Sequence, residues 1–179
     1  LPCLTPFLTI EFLEKYILKT LPERKKLILS LQKYVEKLRD RDKYFAIHYI
    51  CSLDGIRKFL EIGRVGEYPP QYCNPFSLRD RIYLIRQLMT AMRTKRYHLL
   101  KHNIGSIDNE FFLFVGQQKG YFMFPTAKQE LICLNIEESD LLYTFFDFCE
   151  SLDEEMFYTY EEAYTQLHNL LNEYSHSTA

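Results

Sequence analysis

The stretch from Phe111 to Pro125, FFLFVGQQKGYFMFP, constrains the fold more than any other in the chain. Two apolar runs flank Gly116-Gln-Gln-Lys-Gly120, a polar loop whose glycines tolerate the positive φ that tight hairpin loops need. This is a β-hairpin pattern. Yet both arms are apolar at every position, whereas a hairpin with one wet face alternates. Both faces therefore need cover. Phe111, Leu113 and Val115 are expected to pack on helices. Phe112, Phe114 and their partners Tyr121 to Phe124 call for a second cover: the N-terminal helices first, a dimer partner second, a bound ligand third. Arms this apolar are hazardous at an edge, so the hairpin is expected at the centre of a sheet.

The rest of the chain supplies helices and more strands. Thr9 caps a first helix with Phe12, Leu13, Tyr16 and Ile17 on one stripe. Pro22 separates it from a second, in which Leu27, Ile28, Leu31, Tyr34, Val35 and Leu38 keep the helical period. Together they form a helical hairpin. Lys43 to Cys51 is crowded with aromatic and β-branched residues and reads as a strand, with continuation of the helix as the alternative. Ser52 caps a short helix with Ile56, Phe59 and Leu60, stopped at Gly63. A Pro- and Tyr-rich loop, residues 63–75, follows. Ser77 with Asp80 opens a helix that buries Ile82, Ile85, Leu88, Met89 and Met92 and turns Arg79, Arg86 and Arg93 outward. Arg96–Asn103, Phe111–Gly116, Gly120–Pro125 and Glu130–Ile136 read as strands joined by short turns, an antiparallel meander. Ser139 opens an apolar helix, and Thr159 with Glu162 caps a last one that buries Ala163, Leu167, Leu170 and Leu171. The expected class is α+β: a roughly five-stranded, mostly antiparallel sheet covered by helices, with the helical hairpin N-terminal to it. Residues 1–42 form the hairpin, 43–175 the α+β domain and 176–179 a frayed tail.

Hydrophobic residues make up 47% of the 179, enough for a full core. A net charge of −2 excludes a nucleic-acid footprint spread over the whole chain, and the local basic runs are expected on solvated helix faces. The cysteines, Cys3, Cys51, Cys73, Cys133 and Cys149, are odd in number and contain no CxxC pair. They read as free thiols in a reducing cytoplasm. Cys51, Cys133 and Cys149 lie in apolar runs and are expected in the core, Cys73 in an exposed loop. No run of apolar residues is long enough to cross a membrane.

Candidates for chemistry are few. His98 and His102, four apart, would share a face, but a metal needs a third ligand that no spacing supplies. The acidic pairs at 137–138, 154–155 and 161–162 suit helix starts rather than acid–base catalysis. Tyr68, Tyr72, Tyr83, Tyr97 and Tyr121 could line a wall with Arg64, Arg86 or Arg96 that suits an anionic or aromatic small molecule. From these, Arg64, Tyr68, Arg96, His98 and Tyr121 are the candidate ligand-binding residues. No catalytic residue, metal site or cofactor is implied.

LPCLTPFLTIEFLEKYI, YFAIHYICSLDGIRKFLEIGRVGEYP, RDRIYLIRQLMTAMRTKRYHLLK, ICLNIEESDLLYTFFDFCESL and TYEEAYTQLHNLL, in this order, resemble the C-terminal regulatory region of bacterial helix-turn-helix transcription regulators of the kind found in Gram-positive anaerobes. The resemblance covers nearly the whole chain and rests on pattern and order. It implies a domain that senses an effector or dimerises, a homodimer and a small-molecule effector as partners, and DNA contacted only through a module N-terminal to Leu1. The start at Leu1 fits an excised part of a longer chain. Two other readings stand beside it: a small cytoplasmic enzyme with a His/Cys or carboxylate site, and a protein–protein interaction scaffold.

Overall fold

In the computed structural model, residues 4–44, 49–65, 71–94, 97–101, 112–115, 120–125, 131–151 and 154–176 are described. After a 3-10 turn at Thr5–Phe7 come helices α1 (Ile10–Tyr16) and α2 (Arg24–Tyr44). The Arg24 guanidinium closes the end of α1, donating from Nε to the Ile17 carbonyl at 3.2 Å and from Nη2 to the Glu14 carbonyl. Helix α2 runs through Tyr44, and strand β1 occupies only Tyr49–Ser52. The expected strand at 43–51 is thus a helix end followed, after residues outside the described set, by a strand.

Helix α3 (Leu53–Ile62) follows β1 directly. The Ser52 hydroxyl accepts the Gly55 N–H at 3.1 Å, and Gly63 ends the helix in the left-handed region at φ 68°. The expected loop then returns beneath α1. Leu18 N–H donates to the Tyr72 carbonyl and Asn74 N–H to the Tyr16 carbonyl, at 3.0 and 2.8 Å. Helix α4 (Leu78–Ala91) buries Leu84, Ile85, Leu88 and Met89 and leaves Arg79, Arg86 and, just beyond its end, Arg93 exposed, as its periodicity requires.

Strand β2 (Tyr97–Leu100) pairs in parallel with β1, Tyr49 opposite Tyr97 and Ser52 opposite Leu100, with α3 and α4 in the connection between them. Strands β3 (Phe112–Val115), β4 (Gly120–Pro125) and β5 (Leu131–Ile136) form a separate antiparallel sheet in the order β3-β4-β5. The expected single, mostly antiparallel sheet is therefore wrong: all five strands exist, but they divide into a parallel pair and an antiparallel three. The reason lies at the edges of β2. One edge is taken by β1. Along the other runs Met156–Tyr158, where Lys101 N–H donates to Met156 O and Tyr158 N–H to Leu99 O, both at 2.9 Å. No edge is left for β3 to extend. The hairpin is likewise not at the centre of a five-stranded sheet, because β3 is an outer strand of the described three. Which faces its arms cover is a question about side chains 111–119 and 123–131, which lie outside the described residues, as does the loop 116–119.

Helices α5 (Ser139–Glu150) and α6 (Tyr160–His176) complete the chain. The main core joins α3, α4 and α6 with β2 and the N-terminal segment: Phe59, Leu84, Ile85, Leu99 and Leu167 are almost fully buried, and Leu4, Leu8, Leu13, Tyr16 and Ile28 belong to the same cluster. The N-terminal helices thus share the core of the βααβ unit. Truncating a buried ring such as Phe59 to Ala costs about 3–5 kcal/mol.

One junction concentrates constraint. The Arg81 guanidinium donates from Nη1 to the carbonyls of Leu60 and Glu61 at 2.7 and 3.0 Å and from Nε to Phe76 O at 2.6 Å. It thereby satisfies the last carbonyls of α3. It lies where a Cβ on Gly63 would sit. Gly63→Ala therefore meets two penalties, a left-handed backbone and displacement of Arg81, and we expect a loss of about 2 kcal/mol. In an Arg81→Met background the loss from Gly63→Ala should fall to about 1 kcal/mol, the backbone part alone. Urea unfolding of the four proteins in the cycle measures the coupling; equal losses in both backgrounds would refute the steric link.

Candidate functional site

Of the five candidate residues, Arg64, His98 and Tyr121 are described, each in a different segment of the fold. Arg64 donates from Nη1 to the Cys73 carbonyl at 3.2 Å, a strap across the 63–75 loop. His98 is in β2 opposite Ile50, its ring 5.2 Å from that of Phe157. Tyr121 is in β4, opposite Phe114 and Asn135 in the other sheet. Tyr68, Arg96 and His102 lie outside the described residues. Of the remaining tyrosines, Tyr97 is buried and stacked on Tyr49 at 4.6 Å, a core role, while Tyr83 is exposed and stacked on Phe12 at 5.8 Å.

The cysteines correct two expectations. Cys73 is buried, held against α1 by the Ile17–Cys73 bridge, and Cys133 is exposed on β5. An apolar neighbourhood in sequence marks burial only where something packs over the face on which the side chain stands, and Ile132, Cys133 and Leu134 of β5 are all exposed. Burial pushes the Cys51 thiol up to about 12 and the Cys73 thiol up to about 11. Neither forms the thiolate that nucleophilic or metal chemistry needs near neutral pH. Among the described residues no three His, Cys, Asp or Glu side chains could hold one metal ion.

Two hollows stand out among the described residues. The larger, bounded by Leu8, Phe12, Tyr16, Ile17, Cys73 and Phe76, is apolar and about 10 Å³ in volume, the size of one water at most. The other is lined by Gly63, Arg64, Val65, Cys73, Asn74 and Phe76 and holds no water-sized space. Both belong to the packing of the 63–75 loop on α1. Neither has the volume of a metabolite site.

The densest polar cluster joins α1 to the start of α4. Ser77 caps α4 as expected, its Oγ accepting Asp80 N–H at 3.3 Å, while the reciprocal Ser77 N–H bonds to Tyr16 instead of to Asp80. The buried Tyr16 enters this cap from α1. Its hydroxyl accepts Ser77 N–H at 3.0 Å and donates to the Asp80 carboxylate, which also pairs with Lys15. Tyr16 is fixed by its edge against Phe76, with ring centres 4.5 Å apart. Burial is the largest single influence on Asp80 and disfavours its charge, but hydrogen bonds from Lys15, Tyr16 and Ser77 together outweigh it and hold the carboxyl below its ordinary value. Each member serves a helix end, so the cluster reads as a joint rather than a reaction centre.

The remaining feature is a surface. On β5 and α5, Ile132, Leu134, Leu141, Tyr143 and Phe148 are 39, 51, 44, 68 and 45% exposed, although all are large and apolar. Leu142 turns inward and Ile136 is buried at the end of β5. Glu138, not Ser139, caps α5, its carboxylate accepting Leu141 N–H at 2.8 Å. Asp140 and Asp147 stand exposed on the same helix, with Glu137 and Glu138 beside its start. Scattered exposed apolar residues are ordinary, whereas Leu141 and Phe148, seven residues apart and both exposed, form an apolar stripe on one side of α5. The sequence carried a signal for it: Leu141, Leu142, Tyr143, Phe145, Phe146 and Phe148 run around α5 instead of along one stripe, more apolar surface than one buried face uses.

No protein-family model, curated protein or solved structure matches the chain.

Two outcomes follow from this chemistry. Because the folded carboxyl of Asp80 ionises at lower pH than the unfolded one, its contribution to stability is full above the unfolded value near 3.8 and is lost as pH falls through the folded value. Asp80→Asn should therefore melt below the native chain at neutral pH, and the gap should close in acid; a gap that persists at pH about 2 would contradict the assignment. Brief alkylation of the native chain at neutral pH, mapped by peptide mass, should modify Cys133 and spare Cys51 and Cys73 until denaturant is added. Labelling of Cys51 or Cys73 as rapid as that of Cys133 would contradict their burial.

Proposed function

We propose that this chain is a regulatory module that acts by self-association, controlling a DNA-binding module attached N-terminal to it. The observation that carries the reading is the exposed apolar residues of β5 and α5, among them Leu134, Leu141 and Phe148, none of which joins the described core cluster. An isolated soluble subunit gains nothing from such exposure, and a partner surface removes it from water at roughly 25 cal/mol per Å² buried. The resemblance to regulatory regions of helix-turn-helix regulators supports DNA binding as the activity under control.

Sedimentation velocity over a concentration series tests the reading. The chain should pass from monomer to dimer by high micromolar concentration. Leu134→Ser with Phe148→Ser should weaken that step by at least about tenfold while changing the melting temperature little, because both side chains are already half exposed. A chain that stays monomeric throughout would refute it.

A further inference from the structure

The charges of this chain are divided along its length. All 22 lysines and arginines lie at or before Lys128, while twelve of the 24 acids lie at 130–173. The first 128 residues carry +10 and the last 51 carry −12. A net charge near zero therefore conceals two strongly opposed parts.

The division is visible on two helices. On the solvent side of α5, Asp140 and Asp147 are exposed seven residues apart, flanked by exposed Leu141 and Phe148 at the same spacing. On the solvent side of α2, Lys26 and Lys33 are exposed seven residues apart, with exposed Leu29 between them and Lys37 beyond. Seven residues are two turns, a rise of about 10 Å, so both pairs come into register when the helices lie side by side. Leu29 then meets the apolar flank of α5. The other outward cationic stripe, on α4, differs in its apolar member: Tyr83 is already stacked on Phe12, whereas Leu29 is exposed. Each stripe has one engaged cation, Arg93 donating to the Tyr160 hydroxyl at 2.8 Å and Lys26 pairing with Glu23 at 3.2 Å.

We infer that the occupant of the α5 surface is a second copy of this chain, which lays the Lys26–Lys33 face of its α2 along Asp140 and Asp147. The inference rests on the self-association reading and names its face. A two-fold pair makes the contact twice, once from each α2. Burial of Leu29, Leu141 and Phe148 supplies cohesion, and the opposed charges supply register and partner choice. The ion pairs at the rim make the association weaken with added salt.

Charge reversal tests it on the full chain. Lys26→Glu with Lys33→Glu should weaken dimerisation by about tenfold or more at low ionic strength, and Asp140→Lys with Asp147→Lys should do the same. Mixed together, the two reversed proteins should form a dimer about as tight as the native one, because each contact is again between opposite charges. Circular dichroism should show both folded, since all four side chains are exposed. Independently, a zero-length carboxyl–amine cross-linker applied to mixed light and heavy native copies should join Lys26 or Lys33 of one copy to Asp140 or Asp147 of the other. Reversed variants that dimerise like the native chain, or that fail to recombine, would overturn the face and leave self-association standing. A native chain that is monomeric at high micromolar concentration would overturn both. A monomeric chain that retains a foreign lysine-rich peptide on α5 would give the surface to another protein.

Discussion

The first turn of α4 holds the main body of the structure together. Within six residues, Phe76 to Arg81, the chain ties three helices to one another. Ser77 and Asp80 cap α4 and, through the Tyr16 hydroxyl and Lys15, fasten the end of α1 to it. Arg81 reaches back from the same turn to the last carbonyls of α3. Phe76 packs edge-on against Tyr16 and Phe59 at 4.5 and 6.1 Å. The polar contacts satisfy the start of α4 and the last carbonyls of α3, so two helix termini share one joint to which side chains of α1 are fastened. Gly63 is the condition for it, because a side chain there would stand in the place of the guanidinium.

Around that joint the chain divides its work. The βααβ unit, α6 and the N-terminal helices bury a common core, and both edges of β2 are occupied. The three-stranded sheet and α5 are built differently. Ile136 and Leu142 are buried there, yet neither belongs to the main core, and much of the outward surface of β5 and α5 is apolar. On the proposed reading, stability and association fall on separate parts of the chain. A substitution on β5 or α5 can change what the chain binds at little cost to what keeps it folded.

Much of this organisation was legible in the sequence where local chemistry decides. Ser52 and Gly63 bound α3, Ser77 with Asp80 opens α4, and Thr159 with Glu162 opens α6, whose four expected core residues are all buried. Caps and helical stripes are short-range, and short-range patterns survive folding. Strand pairing is not short-range. Nothing in Tyr97–Leu100 announces that its neighbours come from residues 49–52 and 156–158, so a run of strands was read as one meander. Burial failed for the same reason at Cys73 and Cys133: it depends on what crosses over a residue, not on what adjoins it. Among the candidate ligand-binding residues, Arg64 straps a loop, His98 meets Phe157 and Tyr121 sits in the second sheet. The pattern that points to the exposed apolar residues of α5 is their excess around the helix, which resembles an ordinary core helix unless the full circumference is counted.

The central claim is that β5 and α5 remain open in a single copy and are covered when copies meet. Amide hydrogen exchange, followed by mass spectrometry in dilute and in concentrated solution, reads this along the backbone. The account predicts added protection on concentration in peptides spanning residues 131–151 and 24–37, and none in peptides from α4. Exchange independent of concentration in both stretches, or protection gained on α4 instead, would contradict it.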